Sequence, residues 1–198
     1  AVVNRMGFNN DGAAVVAQRV QSWRSAARAV PGVLGVNIGM NKDSKSAEGD
    51  YSLGATRFAR LADYVVVNLS SPNTRGLRVL QMRGSLVSIL EHTRSSLHGD
   101  WARGGGENLG GHPPPLLLKI APDLKEREIL DIADVAQNAG LIEGLVICNT
   151  STARPRRMRA RHSDEIGGLS GRPLSGLSTA LIRHIAALAD GEVPTIGV

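Results

Sequence analysis

Asp63-Tyr64-Val65-Val66-Val67-Asn68-Leu69-Ser70-Ser71-Pro72-Asn73-Thr74 decides the fold. Its first half is a short apolar run, which reads as a strand buried on both faces and hence as part of a parallel sheet. Its second half crowds hydroxyls and amides into the stretch Asn68 to Thr74. Buried polar groups need partners, so a polar cluster at the C-terminal end of a strand marks where an α/β protein holds a small hydrogen-bonding ligand. Ser71 is the candidate reactive group.

Outward from this stretch, apolar runs alternate with segments of helical period. Strands are predicted over 33–38, 64–67, 116–120, 144–148 and 193–198. Helical stripes run through Val16, Val20, Trp23 and Ala27, through Ile129, Ile132, Ala133 and Ala136, and through Leu177, Leu181, Ile185 and Leu188. These are core faces. Asp123 followed by Glu126 reads as an N-cap with a capping-box partner, opening a helix directly after the strand ending at Ile120. Repeated βα units with short returns imply a parallel sheet, and about six of them favour a (β/α)8 TIM-type barrel, incomplete here, over a short open sheet. His98 to Pro115, rich in Gly and Pro, is expected to be a flexible surface insertion within a single domain spanning 1–198.

Composition narrows the function. With 42% apolar residues and 23 glycines the chain is an ordinary α/β protein, and 3% aromatics argue against base-stacking platforms for nucleic acid. The net charge of +5 owes much to Arg154, Arg156, Arg157, Arg159 and Arg161, which read together as a solvated loop. Cys148 is the only cysteine, and His92, His98, His112, His162 and His184 show no metal-ligand spacing. No disulfide and no metal are expected.

The predicted strand ends carry Asn37, then Asn68 with Ser71 and Asn73, then Lys119, then Asn149-Thr150. Each asparagine alone reads as a turn residue or a cap. Together they can bracket a planar ligand with alternating carbonyl and N–H groups, such as a pyrimidine, because each carboxamide offers a donor and an acceptor. A single lysine among them suits developing negative charge. This reading expects Ser71, Lys119 and the amides to face one hollow.

Five motifs in register extend it: Asn4-Arg5-Met6-Gly7-Phe8-Asn9, Gly35-Val36-Asn37-Ile38-Gly39, the opening stretch, Lys119-Ile120-Ala121-Pro122-Asp123-Leu124 and Gly167-Gly168-Leu169-Ser170-Gly171. They resemble the dihydroorotate dehydrogenases, over nearly the whole chain apart from the Gly/Pro-rich stretch. The resemblance implies an FMN enzyme of pyrimidine biosynthesis that oxidises dihydroorotate to orotate. Serine at position 71, where soluble forms carry cysteine, implies the quinone-linked subclass, with a ubiquinone-type acceptor, membrane association through an N-terminal segment and the mitochondrial inner membrane as the address.

By the same resemblance, Ser71 removes a proton from C5 while a hydride leaves C6 for flavin N5, with Thr74 and Phe8 as proton relay and shield. Asn4, Asn68, Asn73 and Asn149 match substrate-binding amides, with Arg5, Met6, Gly7, Phe8 and Thr150 in the same shell. Asn37, Asn68, Lys119, Cys148 and Gly171 match flavin contacts. Two positions depart from the pattern: Cys148 stands where relatives carry Thr or Ser, and Met6 where an aromatic is common. A weak thiol bond replaces a hydroxyl bond at the first.

The family's remaining flavin-binding segments and its membrane-associating helices are expected outside this chain, so the segment alone is expected to bind FMN poorly. Two alternatives stay open. One is another FMN barrel acting on a uracil-like ring, against which Ser71 in place of Cys argues. The other is a non-catalytic barrel remnant, against which the retained polar set argues.

Overall fold

The computed structural model describes residues 1–26, 32–74, 76–104, 111–155, 158 and 162–198. Ala27, Arg156, Arg157, Arg159 and Arg161, singled out above, and positions 105–110 of the Gly/Pro-rich stretch lie outside the described residues. Five strands form one parallel sheet: β2 (Gly35–Ile38), β3 (Tyr64–Asn68), β4 (Leu116–Ile120), β5 (Gly144–Ile147) and β7 (Thr195–Gly197), in the order β2-β3-β4-β5-β7. Helices α1 (Ala13–Ala26), α2 (Ala47–Phe58), α3 (Arg83–Arg103), α4 (Glu126–Asn138) and α5 (Ser175–Leu188) fill the intervals. Strand and helix alternate as the apolar runs predicted, and the sheet is the wall of an incomplete barrel. Its five parallel strands among the described residues are the five that the apolar runs predicted. The opening run forms β1 (Val2–Asn4), which pairs antiparallel with β6 (Gly168–Ser170) instead of joining the sheet.

Strand register sorts the side chains into two layers. Val65, Val67, Leu116, Leu118, Ile120, Leu145 and Ile147 face the helices and join one large core with Tyr51, Leu86, Ile89, Leu90, Ile132 and Ile185. The alternate positions Val66, Leu117 and Val146, with Tyr64 beside them, form a small second cluster on the inner face. One residue further along in that inner parity stand Asn68 and Lys119, paired in register across β3 and β4. The same period-2 rule that fills the interior with valine and leucine therefore delivers an amide and an ammonium to its C-terminal rim.

Several local expectations need correcting. The Gly/Pro-rich insertion is narrower than 98–115: α3 continues to Arg103, held by buried Leu97 and by Asp100 paired to Arg60, and the carbonyl of Pro115 already accepts from Val65 N at 2.9 Å. Asp123 is not the N-cap of α4. The helix begins at Glu126 with Lys125 as cap residue, whose N–H is held by the Glu128 carboxylate at 2.7 Å, and Asp123 is drawn instead into contacts with the next strand end. On α1 the buried residue is Ala17, while Trp23 is exposed; Leu177 is likewise exposed at the start of α5. Arg154 is not solvated, since its guanidinium spans the carbonyls of Ser163, Glu165 and Gly167 and closes that loop on itself.

Candidate active site

The polar stretch after β3 folds as a connected set, because each amide left at a strand end must find partners. Asn68, only 4% exposed, donates from Nδ2 to Asn37 Oδ1 at 3.1 Å and accepts at Oδ1 from the N–H and the hydroxyl of Ser70, at 3.1 and 2.8 Å. Asn149 Nδ2 then donates to Ser70 Oγ at 3.1 Å, and Asn149 Oδ1 receives Thr150 N at 2.8 Å. One row of hydrogen bonds thus runs across the ends of β2, β3 and β5. Tyr51, fully buried on α2, donates its hydroxyl to the carbonyl of Asn68 at 2.9 Å, and burial pushes its phenol pKa up, so it remains a neutral donor.

A second row lies beside the first. Ser71 is 5% exposed, and its Oγ accepts from Asn73 N at 3.2 Å. Asn73 Nδ2 reaches Asn4 Oδ1 at 3.3 Å, which also receives Met6 N. Thr74, the residue after Asn73, is also buried. Main-chain donation to a hydroxyl oxygen favours its charged form, and that is the help a serine needs to act as a base.

The cleft proper, about 610 Å³, is lined by Lys119, Cys148, Asn149, Thr150, Gly171 and Ser178 among others. Ser71, Asn73 and Thr74 are not among its lining residues, and neither are Asn4, Asn37 and Asn68, so of the groups expected to face one hollow it gathers Lys119 and Asn149; the Asn73 N–H holds the Ser71 hydroxyl within its own turn. Among the described residues Lys119 makes no side-chain hydrogen bond or ion pair, and burial lowers its pKa. Cys148 is buried, which pushes its thiol pKa up and keeps it protonated. Of the N-terminal motif, Asn4 joins the second row and Phe8 lies against Gly39 at the end of β2, where a Cβ would come within 2.9 Å of the ring. Arg5 is committed to Glu165 at 2.9 Å and to the carbonyl of Ile166, and Met6 is 68% exposed, so ligand contact there would fall to the main chain. Gly7 is exposed at the same turn, with φ of 74°.

Within the glycine motif, the closest packing against protein falls before Gly171. Gly171 has room, its nearest neighbour being Ala1 Cα at 3.5 Å, although its φ of 86° disfavours a side chain. The tight positions are Gly167, where a Cβ would lie 2.3 Å from Asn4 O, and Gly168, where it would lie 2.0 Å from Thr150 Oγ1. Those two glycines let β6 and the residue before it lie directly on Asn4 of β1 and on Thr150. Arg78, Gln81 and Tyr51 were not legible as site residues, since each acts on main-chain atoms far along the chain.

The family profile described as dihydroorotate dehydrogenase matches residues 1–198, the whole chain. The chain belongs to the dihydroorotate dehydrogenase family. A relative in Rhodospirillum rubrum named dihydroorotate dehydrogenase (quinone) is 45% identical over 198 residues, covering 100% of this chain and 50% of the relative. In Arabidopsis thaliana, dihydroorotate dehydrogenase (quinone), mitochondrial, is 40% identical and is covered over 46% of its length. The crystal structure of DHODH from Eimeria tenella in complex with ferulenol superposes with a TM-score of 0.88 at 42% identity, covering 98% of this chain and 54% of that one. The chain spans about half the length of the curated relatives it matches. As in other dihydroorotate dehydrogenases, its fold is the α/β barrel type, and the five motifs that carried the resemblance sit on successive strand ends and on the β1/β6 pair above them.

Proposed function

We propose that this chain supplies the base, the substrate amides and part of the flavin cleft of a quinone-linked dihydroorotate dehydrogenase, which oxidises (S)-dihydroorotate to orotate in pyrimidine biosynthesis. The observation that carries it is the pair of hydrogen-bonded rows, Asn37–Asn68–Ser70–Asn149 and Ser71–Asn73–Asn4, side by side at parallel strand ends. A flat ring with alternating donors and acceptors suits such amides, since each can exchange one partner in the row for the ligand without being left unsatisfied. Ser71 Oγ takes the C5 proton and Thr74 passes it on, with Phe8 keeping the end of β2 apolar. Asn4, Asn68, Asn73, Asn149 and Thr150 hold the ring, and the main chain of Arg5, Met6, Gly7 and Phe8 borders it.

The residues present fit FMN. A half-buried lysine with no counter-charge among the described residues sits in a cleft bordered by small polar side chains, and it suits a cofactor that carries negative charge. Lys119, Asn37, Asn68, Cys148 and Gly171 would hold it. Bound FMN supplies the two-electron acceptor for the hydride leaving C6, and a ubiquinone-type molecule takes the electrons onward. The mitochondrial names of the plant relatives support an organelle address, for which we propose the inner membrane, with membrane association through an N-terminal segment. Residues 1–198 belong in this reading to a single FMN-binding barrel domain, with a surface insertion before β4.

The test uses the full-length protein: flavin absorbance is recorded, then its bleaching by dihydroorotate before and after Ser71→Ala. Bleaching slowed by about a hundredfold or more in the variant is expected for loss of a positioned base. Wild-type bleaching in Ser71→Ala refutes the role of Ser71, and absence of flavin refutes the flavoenzyme reading.

A further inference from the structure

We propose that Arg78 is a positioning residue for Ser71, acting through the main chain on either side of the site. This rests on the reading of Ser71 as the base and adds a residue that reading does not include. Arg78 lies on a short 3₁₀ helix, Leu77–Gln81, directly after the serine loop. Its three guanidinium nitrogens go to three different strand ends: Nε to the carbonyl of Ser70 at 3.2 Å, Nη1 to Asp123 Oδ2 at 2.7 Å, and Nη2 to the carbonyl of Thr150 at 2.7 Å. Only a planar fork with several fixed donors can do this; a lysine head cannot span the three. Because these donors are already used and the side chain is largely covered, Arg78 is not a free anion site.

The rest of the helix reinforces the brace. Leu77 is fully buried, and Gln81, 1% exposed, accepts from Ala121 N at 3.1 Å while donating to the carbonyl of Arg78 at 3.3 Å. Asp123, the partner of Arg78, accepts in turn from Ser151 Oγ at 2.5 Å and Thr152 N at 2.8 Å. The loops after β3, β4 and β5 are therefore fixed to one another through one guanidinium.

They do not depend on it equally. The β5 end has its own supports: Asn149 N to the carbonyl of Ile120 at 3.0 Å, and Ser151 bridged to Leu169 in both directions, at 3.0 and 2.7 Å. From Asn68 to Asn73 the serine loop is tied by side chains, Asn68 and Asn149 to Ser70 and Asn73 to Asn4, and the Arg78 bond falls on the peptide immediately before Ser71. Loss of the fork should free the serine more than the substrate amides. The expected signature is a slower chemical step with ligand affinity largely kept.

The experiment compares Arg78→Lys and Arg78→Ala with wild type in full-length protein, normalised to bound flavin. Bleaching at saturating dihydroorotate should fall about tenfold to a hundredfold in both, the range expected when a reacting group is misplaced by about an ångström. Orotate affinity should stay within about threefold, on the same argument that the amides keep their own supports. Amide hydrogen exchange should quicken in 70–74 more than in 149–152, a readout independent of turnover. Arg78→Lys keeps a cation beside Asp123, so it carries the test if Arg78→Ala unfolds. Wild-type bleaching and exchange in Arg78→Lys overturn the brace, as does a loss confined to thermal stability. Normal bleaching in Ser71→Ala would remove the base assignment itself, and that result is read from a different variant.

Discussion

Gly168→Ala tests whether the β1/β6 pair sets the geometry of the site. A Cβ at Gly168 would lie 2.0 Å from Thr150 Oγ1, 2.7 Å from Thr150 Cβ and 3.1 Å from Pro72 Cγ. Rotation of Thr150 could move its hydroxyl, but its Cβ rides on the backbone. Ordinary contact begins at 3.4 Å, so the two chains must part by about 3.4 − 2.7 = 0.7 Å whatever rotamer is chosen. Inserting a methyl into a packed contact typically costs about 1–3 kcal/mol, which for a domain of this size lowers the melting temperature by about 2–4 °C per kcal/mol. The same displacement moves Thr150 away from the ring it is proposed to hold, so orotate affinity should fall about tenfold, short of the hundredfold that a full ångström can cost. Gly176→Ala is the control, because nothing lies within 4 Å of its Cβ position and it sits in a helix. The assays are thermal unfolding and the orotate-induced change in flavin absorbance, both on full-length protein. If Gly168→Ala matches Gly176→Ala in both, the close packing of β6 on Thr150 is not what shapes the site.

Two further outcomes follow from the hydrogen-bond network. Burial raises the Asp123 pKa, but hydrogen bonds from Ser151, Thr152 and Arg78 more than offset it and leave the carboxyl below its usual range. A group with a depressed folded pKa contributes stability above its unfolded value, near about 3.9, and loses it as pH falls through the folded value. Thermal stability of wild type should therefore drop more steeply than that of Asp123→Asn between about pH 5 and 2, measured by scanning calorimetry, and parallel profiles would contradict the assignment. Tyr51→Phe removes the hydroxyl that donates to Asn68 O inside the core and leaves that oxygen short of a partner. Its expected cost is about 1–2 kcal/mol in denaturant unfolding, and a change below about 0.3 kcal/mol would show that the bond carries no net stability.

The sheet was legible because each strand is a short apolar run followed by a polar stop. Leu116–Ile120 matches its predicted bounds, β2, β5 and β7 lie within theirs, and β3 runs one residue past its own, to Asn68. β1 and β6 escaped, being three residues each and meaningful only through a partner more than 160 residues away in the chain. The false N-cap at Asp123 has a physical origin. A carboxylate just before a helix satisfies the capping pattern in sequence, yet here Arg78, Ser151 and Thr152 offer it three donors, and an ion pair reinforced by two further bonds outcompetes a helix terminus.

The site divides along the same line. Asn37, Asn68 and Lys119 were legible because strand parity alone carries them to one rim, while Asn149 was legible as the polar stop after β5. What parity cannot express is how separate rims are held in common. Ser70 illustrates the difference: its hydroxyl joins Asn68 to Asn149, while its carbonyl receives Arg78. A serine read in sequence as one more hydroxyl beside Ser71 is thus the junction where the amide row and the arginine brace meet. At Ser70, removing the hydroxyl breaks the row and leaves the carbonyl held, while removing Arg78 frees the carbonyl and leaves the row intact. The residue proposed to carry the chemistry and the contacts fixing its position are therefore separable by mutation, even though they are neighbours in the chain.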